Sequence, residues 1–455
     1  MPLVSVCPFT GETLRRFEPH SRAHVDRVLS RAHKRAAAWR QEPLRQRSQL
    51  LERIAQELRQ QRERLAREVT REMGKPLSQA RAEIEKCAWV CEYYAQHGPQ
   101  FLAPEEVRTE ARRSYVRFDP LGVVLAIMPW NFPYWQVFRF AAGAVMAGNT
   151  VVLKHAANVS MAALSIERTW RRAGAPSGLF QAVLVETEEV PRLIADPRIA
   201  AVTLTGSEQA GRAVARLAGE HLKKCVLELG GSDAFIVLAD ADLDRAATAA
   251  AEARTINSGQ SCIAAKRIIV ERAAMSRFLP AFVSAMRGMK VGDPFAPDTR
   301  IGPLARADLV ENLQRQVEES QRLGARVELG GQPLPGPGFF YPPTVLTRVR
   351  PGMPAFDEEL FGPVAAVISA RDAADAIRLA NATRYGLGAA LWTRNLRRAE
   401  ELAAQLDVGA VHINDVVHSD PRLPFGGVKA SGYGRELGSY GIKEFTNIKS
   451  VVVGA

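Results

Sequence analysis

The 455-residue sequence contains no uninterrupted apolar run of the ~18 residues that a membrane-spanning helix needs. The nearest, residues 140–153, is broken by Asn149 and Thr150 and follows Arg139, so no span is expected. MPLVSVCPFTGETL has no basic leader ahead of an apolar segment, and the arginines after it are mixed with acids. Neither a secretory nor a transit peptide is expected, which points to the cytoplasm. Cysteine is scarce: Cys7, Cys87, Cys91, Cys225 and Cys262 are an odd set without metal-ligand spacing. Cys87 and Cys91 stand at helical i, i+4 spacing and lack a second pair, so reduced thiols and no metal are expected. The GxGxxG dinucleotide fingerprint is also missing, since GYGREL has no strand before it. Gly206 to Gly211 imitates the start of a P-loop, but Arg212-Ala213 stands where Lys-Ser/Thr belongs, and a Walker site is rejected. Internal repeats and low-complexity tracts are absent.

What the chain has is length for two or three domains and a formal charge of +11. Basic patches bind nucleic acid through phosphates, but the distribution here argues against that. Arginines between Arg40 and Arg71 alternate with Glu52, Glu57, Glu63, Glu68 and Glu72 at helical spacings, the pattern of a solvated face with ion pairs. No nucleic-acid partner is expected; the excess charge suits anionic substrates and phosphorylated cofactors.

From His24 to about His97 the periodicity is helical, with Pro43 placed to open the longest helix. RRSYVRFD (112–119) alternates like a strand, GVVLAIMPW reads as a buried strand ending in a proline, and a helix should begin near Phe132. Further strands at 149–153, 180–185 and 200–205, separated by helical patterns, predict a parallel sheet with helices on both faces, an α/β Rossmann-like domain. A second α/β region begins at Val226 and runs through the strand at 266–271 and the helix at 305–323 to about Asn414. The tail 442–454 reads as another strand.

The chemistry centres on TINSGQSCIAAKR (255–267), where Cys262 is the candidate nucleophile. A thiol of ordinary pKa ~8.5 is mostly protonated at neutral pH, so it needs nearby donors or positive charge, and Gly259 and Ser261 leave room for a substrate. A buried structural cysteine is the alternative. Upstream, Glu228 sits between Leu227 and Leu229 ahead of Gly230 and Gly231; partial desolvation raises such a carboxylate toward the range of a general base, and the glycines permit close backbone approach.

Glu228 and Cys262 resemble the glutamate and cysteine signatures of the aldehyde dehydrogenase superfamily. The likeness continues through PWNFP (129–133), TGS (205–207), EELFGP (358–363) and LPFGGVKASGYGRELG (423–438), so it covers nearly the whole chain. The resemblance implies a dinucleotide-binding domain at 1–111 and 122–225 and a catalytic domain at 226–428. It assigns 112–121 and 429–455 to a small β oligomerisation segment, hence a homodimer or homotetramer. It implies that Cys262 attacks an aldehyde, that Asn131 and the Cys262 N–H hold the oxyanion, and that Glu228 activates the water that hydrolyses the thioester. It further places Lys154 at the adenosine ribose, Glu359 at the nicotinamide ribose, and Trp130, Leu229 and Phe361 elsewhere along the cofactor. Gly206 and Ser207, between a strand and a helix, would meet the pyrophosphate with free N–H groups; a plain helix cap is the alternative. The sequence departs from the common pattern at His155, usually proline, and at Ala157, usually an acid that repels a 2′-phosphate. That loss tilts the site to NADP, with NAD the weaker alternative.

If WNFPYWQVFRF is helical, Asn131, Trp135 and Arg139 share a face, and Arg139 lies ~12 Å from Asn131 along the axis. A guanidinium there would grip a carboxylate at the far end of a short aldehyde; an ordinary ion pair or a snorkelling arginine is the alternative. Arg139 and the HSDPRLPFGG run resemble succinate-semialdehyde dehydrogenases, with Ser419 adding a hydrogen bond and Ser261 lining the pocket. Glutarate semialdehyde, an uncharged aldehyde, a CoA-acylating reaction and a silent binding protein are the competing readings; intact Glu228, Cys262 and Asn131 disfavour the last two.

Overall fold

A computed structural model of the chain describes residues 2–454. The expected alternation of strands and helices appears as two separate, mainly parallel sheets. In the first, the parallel strands run in the order Lys224–Glu228, Ile199–Thr205, Val123–Met128, Thr150–His155 and Phe180–Ala182. This doubly wound order reverses direction at Val123–Met128, and the chain leaves the C-terminal ends of that strand and of Ile199–Thr205 on opposite sides of a crevice. Near-continuous Val, Ile, Leu and Ala at 123–128 is what a strand covered by helices on both faces requires.

The second sheet orders Arg326–Leu329, Thr344–Thr347, Val364–Ala370, Arg267–Glu271, Ala234–Val237, Gly388–Trp392 and Ala410–Ile413. All its pairings are parallel except the first. The boundary expected at Val226 therefore falls inside a strand of the first sheet: 224–228 pairs with 199–205, and the second sheet begins only at Ala234. Gly432–Tyr433, expected to belong wholly to the oligomerisation segment, returns to pair antiparallel with Leu227 and Glu228. A third sheet joins Thr446–Val453 to Arg113–Pro120 along eight residue pairs and adds the short Glu105–Glu106.

The helical N-terminal region is confirmed, with one correction: Pro43 opens Leu44–Gln60, whereas the longest helix is Leu77–Phe101, preceded by Pro76 and by Gly74 at φ 80°. That Gly74 ends the preceding helix in the left-handed conformation a C-terminal glycine supplies. Among the expected surface acids, Glu63 pairs with Arg67 and Arg81, but Glu72 lies in the core. It accepts hydrogen bonds from the Ser5 hydroxyl and from the Met161 and Ala162 N–H groups at 2.8 and 2.9 Å, capping helix Ser160–Arg172. All five cysteines are free thiols. No helix of the described residues is long and apolar enough to cross a membrane.

Candidate active site

A cavity of about 390 Å³ opens between the two α/β units, and Cys262 and Ser261 form part of its wall. The loop that delivers Cys262 is held under strain. Asn257 and Ser258 adopt φ 51° and 57°, and Gly259 follows at φ 78°. Left-handed backbone at non-glycine residues persists only where neighbours over-determine it. Here the Asn257 side-chain amide donates to the Asn131 carbonyl at 2.8 Å, the Ser258 hydroxyl accepts from Gly302 N–H at 2.9 Å, and the Gln260 side chain accepts from Ala305 N–H at 2.8 Å. At Gly259 a Cβ would fall 2.2 Å from the Gly362 backbone, so only glycine fits.

Behind the nucleophile stands Lys266, which the sequence reading did not single out. Its buried ammonium donates to the carbonyls of Ser261 and Cys262 at 2.8 and 2.6 Å. Burial pushes the Cys262 thiol up to about 12, with Lys266 and Arg139 pulling the other way. The positive charge foreseen for an activated cysteine is thus present, yet desolvation outweighs it and the resting thiol keeps its proton.

Glu228 is buried, as its apolar flanks predict, and burial drives its pKa well above the ordinary carboxyl range. Its Oε2 lies 3.7 Å from the Arg139 guanidinium, and its Oε1 has no hydrogen-bond partner. Gly230 and Gly231 do allow close approach: a Cβ on Gly230 would meet Glu359 at 2.3 Å, and Gly231 N–H donates to Glu359 Oε1 at 3.1 Å. Asn131 is buried; its amide donates to the Gln260 carbonyl at 3.1 Å, while its Oδ1 is unpartnered. One amide hydrogen thus remains for an oxyanion.

Two geometric expectations need correction. The helix begins at Trp135, so Asn131 precedes it and does not share a helical face with Trp135 and Arg139. Arg139 reaches the cavity, but its guanidinium is already committed. It bonds the Glu436 carboxylate, sits beside Glu228, contacts the Thr205 hydroxyl at 3.4 Å and lies 4.6 Å from the centre of the Phe425 ring. The ion pair weighed as the alternative for Arg139 is thus present, and its partner Glu436 is too far away in sequence for a local pattern to have named it.

Most of the positions expected to meet a cofactor lie at or just beyond the C-terminal ends of the first sheet's strands, whereas Glu359 and Phe361 precede strand Val364–Ala370 of the second. Ser207 caps helix Glu208–Glu220 by accepting from Ala210 N–H at 3.3 Å. Gly206 N–H is given to the Glu228 carbonyl at 3.0 Å, so it is not free, contrary to expectation. Lys154 is the penultimate residue of strand Thr150–His155, a largely buried ammonium in no ion pair among the described residues, and Ala157 is exposed three residues later. A buried cation outside any ion pair, with only Glu188 acting on it from a distance, fits an anionic or polyhydroxyl ligand better than an apolar one. Trp130 and Phe361 meet edge to face at 5.7 Å, and Leu229 packs where a Cβ on Gly211 would clash at 2.5 Å. Trp135 and Ser419 also line the cavity. With them stands Lys86, another position the sequence reading missed, because a lysine on a helix face carries no motif. One trio of potential metal ligands occurs among the described residues, His412, Asp415 and His418, on the strand and loop beside the cavity.

A crevice at a sheet switch point beside a cysteine–glutamate–asparagine constellation defines a nucleotide-dependent enzyme of acyl chemistry. The chain belongs to the aldehyde dehydrogenase family, whose profile matches residues 2–451. It is 48% identical over 451 residues, 99% of both chains, to a probable NADP(+) succinate-semialdehyde dehydrogenase of Synechocystis sp.. It is 48% identical to the NADP(+) succinate-semialdehyde dehydrogenase of Mycobacterium avium, covering 100% of this chain and 97% of the relative. Among solved structures it superposes on succinic semialdehyde dehydrogenase from Streptococcus pyogenes in complex with NADP+, with TM-score 0.97, 36% identity and full coverage of both chains. It also matches lactaldehyde dehydrogenase from Escherichia coli, with TM-score 0.97, 30% identity and 100% and 96% coverage, so the fold serves more than one aldehyde.

Proposed function

We propose that the protein oxidises succinate semialdehyde to succinate with NADP as the preferred hydride acceptor. The observation that carries the reading is Cys262 on a strained, rigid loop in a cavity with cationic walls, in a chain nearly half identical over its full length to enzymes named for that reaction. NADP would lie against Lys154, Trp130, Ser207, Leu229, Glu359 and Phe361, and the exposed Ala157 leaves no carboxylate at that position to repel a 2′-phosphate. When bound, the nicotinamide supplies the hydride acceptor. The Cys262 thiol releases its proton through the open cavity to solvent as its sulfur adds to the aldehyde carbon, and the oxyanion is held by the Asn131 amide and the Cys262 N–H. After oxidation the acyl group is a thioester on Cys262. Glu228, once it has given its own proton to solvent, takes a proton from the attacking water; the carbon–sulfur bond then breaks, the Cys262 sulfur leaves and recovers a proton, and succinate is released.

We also infer a homo-oligomer, supported by the exposed apolar residues Ile448, Val452 and Val453 on the edge strand of the third sheet. NADPH and NADH formation should be followed with succinate semialdehyde, glutarate semialdehyde, lactaldehyde and butanal. The highest kcat/KM is expected for succinate semialdehyde with NADP. A higher value for an uncharged aldehyde overturns the substrate, and a higher value with NAD overturns the cofactor.

A further inference from the structure

We propose that Lys86, together with Ser419, takes the far carboxylate of the semialdehyde, in the place the sequence pattern assigns to Arg139. The proposal rests on the carboxylate-bearing substrate argued above. Three cations line the cavity: Lys86, Arg139 and Arg300. Arg139 is neutralised by the hydrogen-bonded Glu436 and further enclosed by Glu228, and Arg300 bonds Glu252 at 3.4 Å in a solvent-exposed position. Lys86 alone of the three has no carboxylate partner among the described residues. The acids close enough to act on it are committed elsewhere, Glu83 to Lys75 and Asp420 to Arg422.

The Lys86 ammonium donates to the Ser419 hydroxyl at 2.9 Å and stands 4.6 Å from the centre of the Trp135 ring. An ammonium has three donors, so two remain, and the Ser419 hydrogen is free to point at the same anion. Trp135 and the helix Leu77–Phe101 fix the lysine stem, so little side-chain freedom remains to be lost on binding. A half-buried cation without a counter-ion is costly by itself and is relieved by a ligand that brings the missing charge. An uncharged aldehyde brings none, so the same arrangement favours an ω-carboxylate over an alkyl end.

Burial and the neighbouring Arg139 lower the Lys86 pKa to about 8. The groups facing it are Glu83 and Cys87 on its own helix, Arg139 on Trp135–Met146, and His418, Ser419 and Asp420 on the loop opposite. Below about 8 the ammonium is charged; above it the carboxylate site is lost.

The test is the ratio of kcat/KM for succinate semialdehyde to that for butanal, measured on the full-length enzyme with NADP. Lys86→Met is expected to lower this ratio at least about 20-fold, mainly through KM for the semialdehyde, and Lys86→Arg to restore much of it. In the unmodified enzyme the ratio should fall about tenfold per pH unit above about 8, a readout that survives if the methionine variant fails to fold. A ratio unchanged in Lys86→Met, or flat to pH 9.5, overturns the assignment of Lys86 while leaving the substrate intact. An unmodified enzyme with no preference for the semialdehyde overturns the substrate reading and the lysine with it.

Discussion

At the scale of the residue, the site is governed by two buried carboxylates facing one guanidinium. Burial raises both carboxyl groups, Glu228 the more; Glu436 is hydrogen-bonded to Arg139, whereas Glu228 stands farther off, so the proton that cannot be shed in this dry pocket stays on Glu228. Glu228→Gln copies the neutral resting form. It should fold with an unchanged or higher Tm at pH 7 and give a single burst of NADPH near one per site, with steady-state turnover reduced about 10²-fold or more. Absence of an acyl-enzyme in mass spectra taken during the burst would count against its role as base. His155 is a second buried titrating group. Its Nδ1 accepts from Ala156 N–H at 2.9 Å and its Nε2 faces the Pro133 carbonyl at 2.9 Å, a neutral tautomer tying the cofactor strand to the loop that carries Asn131. Burial lowers its pKa to about 4. The folded state then binds fewer protons than the unfolded one below the ordinary value of 6.5. Its contribution is complete above that pH and is lost at about 1.4 kcal/mol per unit as pH falls toward about 4. Urea midpoints at pH 7, 6 and 5 should fall less steeply in His155→Gln than in the parent; parallel slopes would refute this.

At the scale of the element, local pattern was a good guide to which segments are helix or strand and a poor guide to what their polar positions do. Glu72 belongs to an arginine- and glutamate-rich run that reads as a wet surface. Its register with Leu65 and Val69, however, puts it on the buried face of helix Arg62–Met73. There it closes the start of helix Ser160–Arg172, a partner far along the chain. Glu72→Ala leaves the Met161 and Ala162 donors without their acceptor and should cost about 2–4 kcal/mol in urea unfolding, with Glu72→Gln losing less. A loss below about 0.5 kcal/mol would return Glu72 to the surface role. The loop that carries Cys262 follows the same logic: GQSC was legible as a reactive sequence, but the left-handed run Asn257, Ser258 and Gly259 that leads into it was not. Asn257 and Ser258 are held there by Gly302, Gln79 and Asn131, none of them local.

At the scale of the whole molecule, Thr446–Val453 is an edge strand, paired on one side with Arg113–Pro120 and bearing exposed Ile448, Val452 and Val453. Such an edge invites pairing with a second copy. Light scattering at micromolar concentration should give a multiple of the 49.9 kDa chain mass. Ile448→Lys with Val452→Lys should shift the mass toward the monomer, and a monomeric parent would contradict the inference.

The sequence by itself determined the two α/β units, the cysteine and glutamate proposed for the chemistry, and the missing acid at Ala157, because periodicity, flanking apolar residues and short motifs are all local signals. It placed the first unit's end within a strand, since a strand's sheet membership is set by its partners and not by its own residues. Tertiary structure alone decided that Arg139 is spent on Glu436, that Lys86 is left without a carboxylate, and that burial outweighs positive charge at Cys262. Each of these depends on which charges the fold brings together out of water, a through-space quantity that residue order does not record.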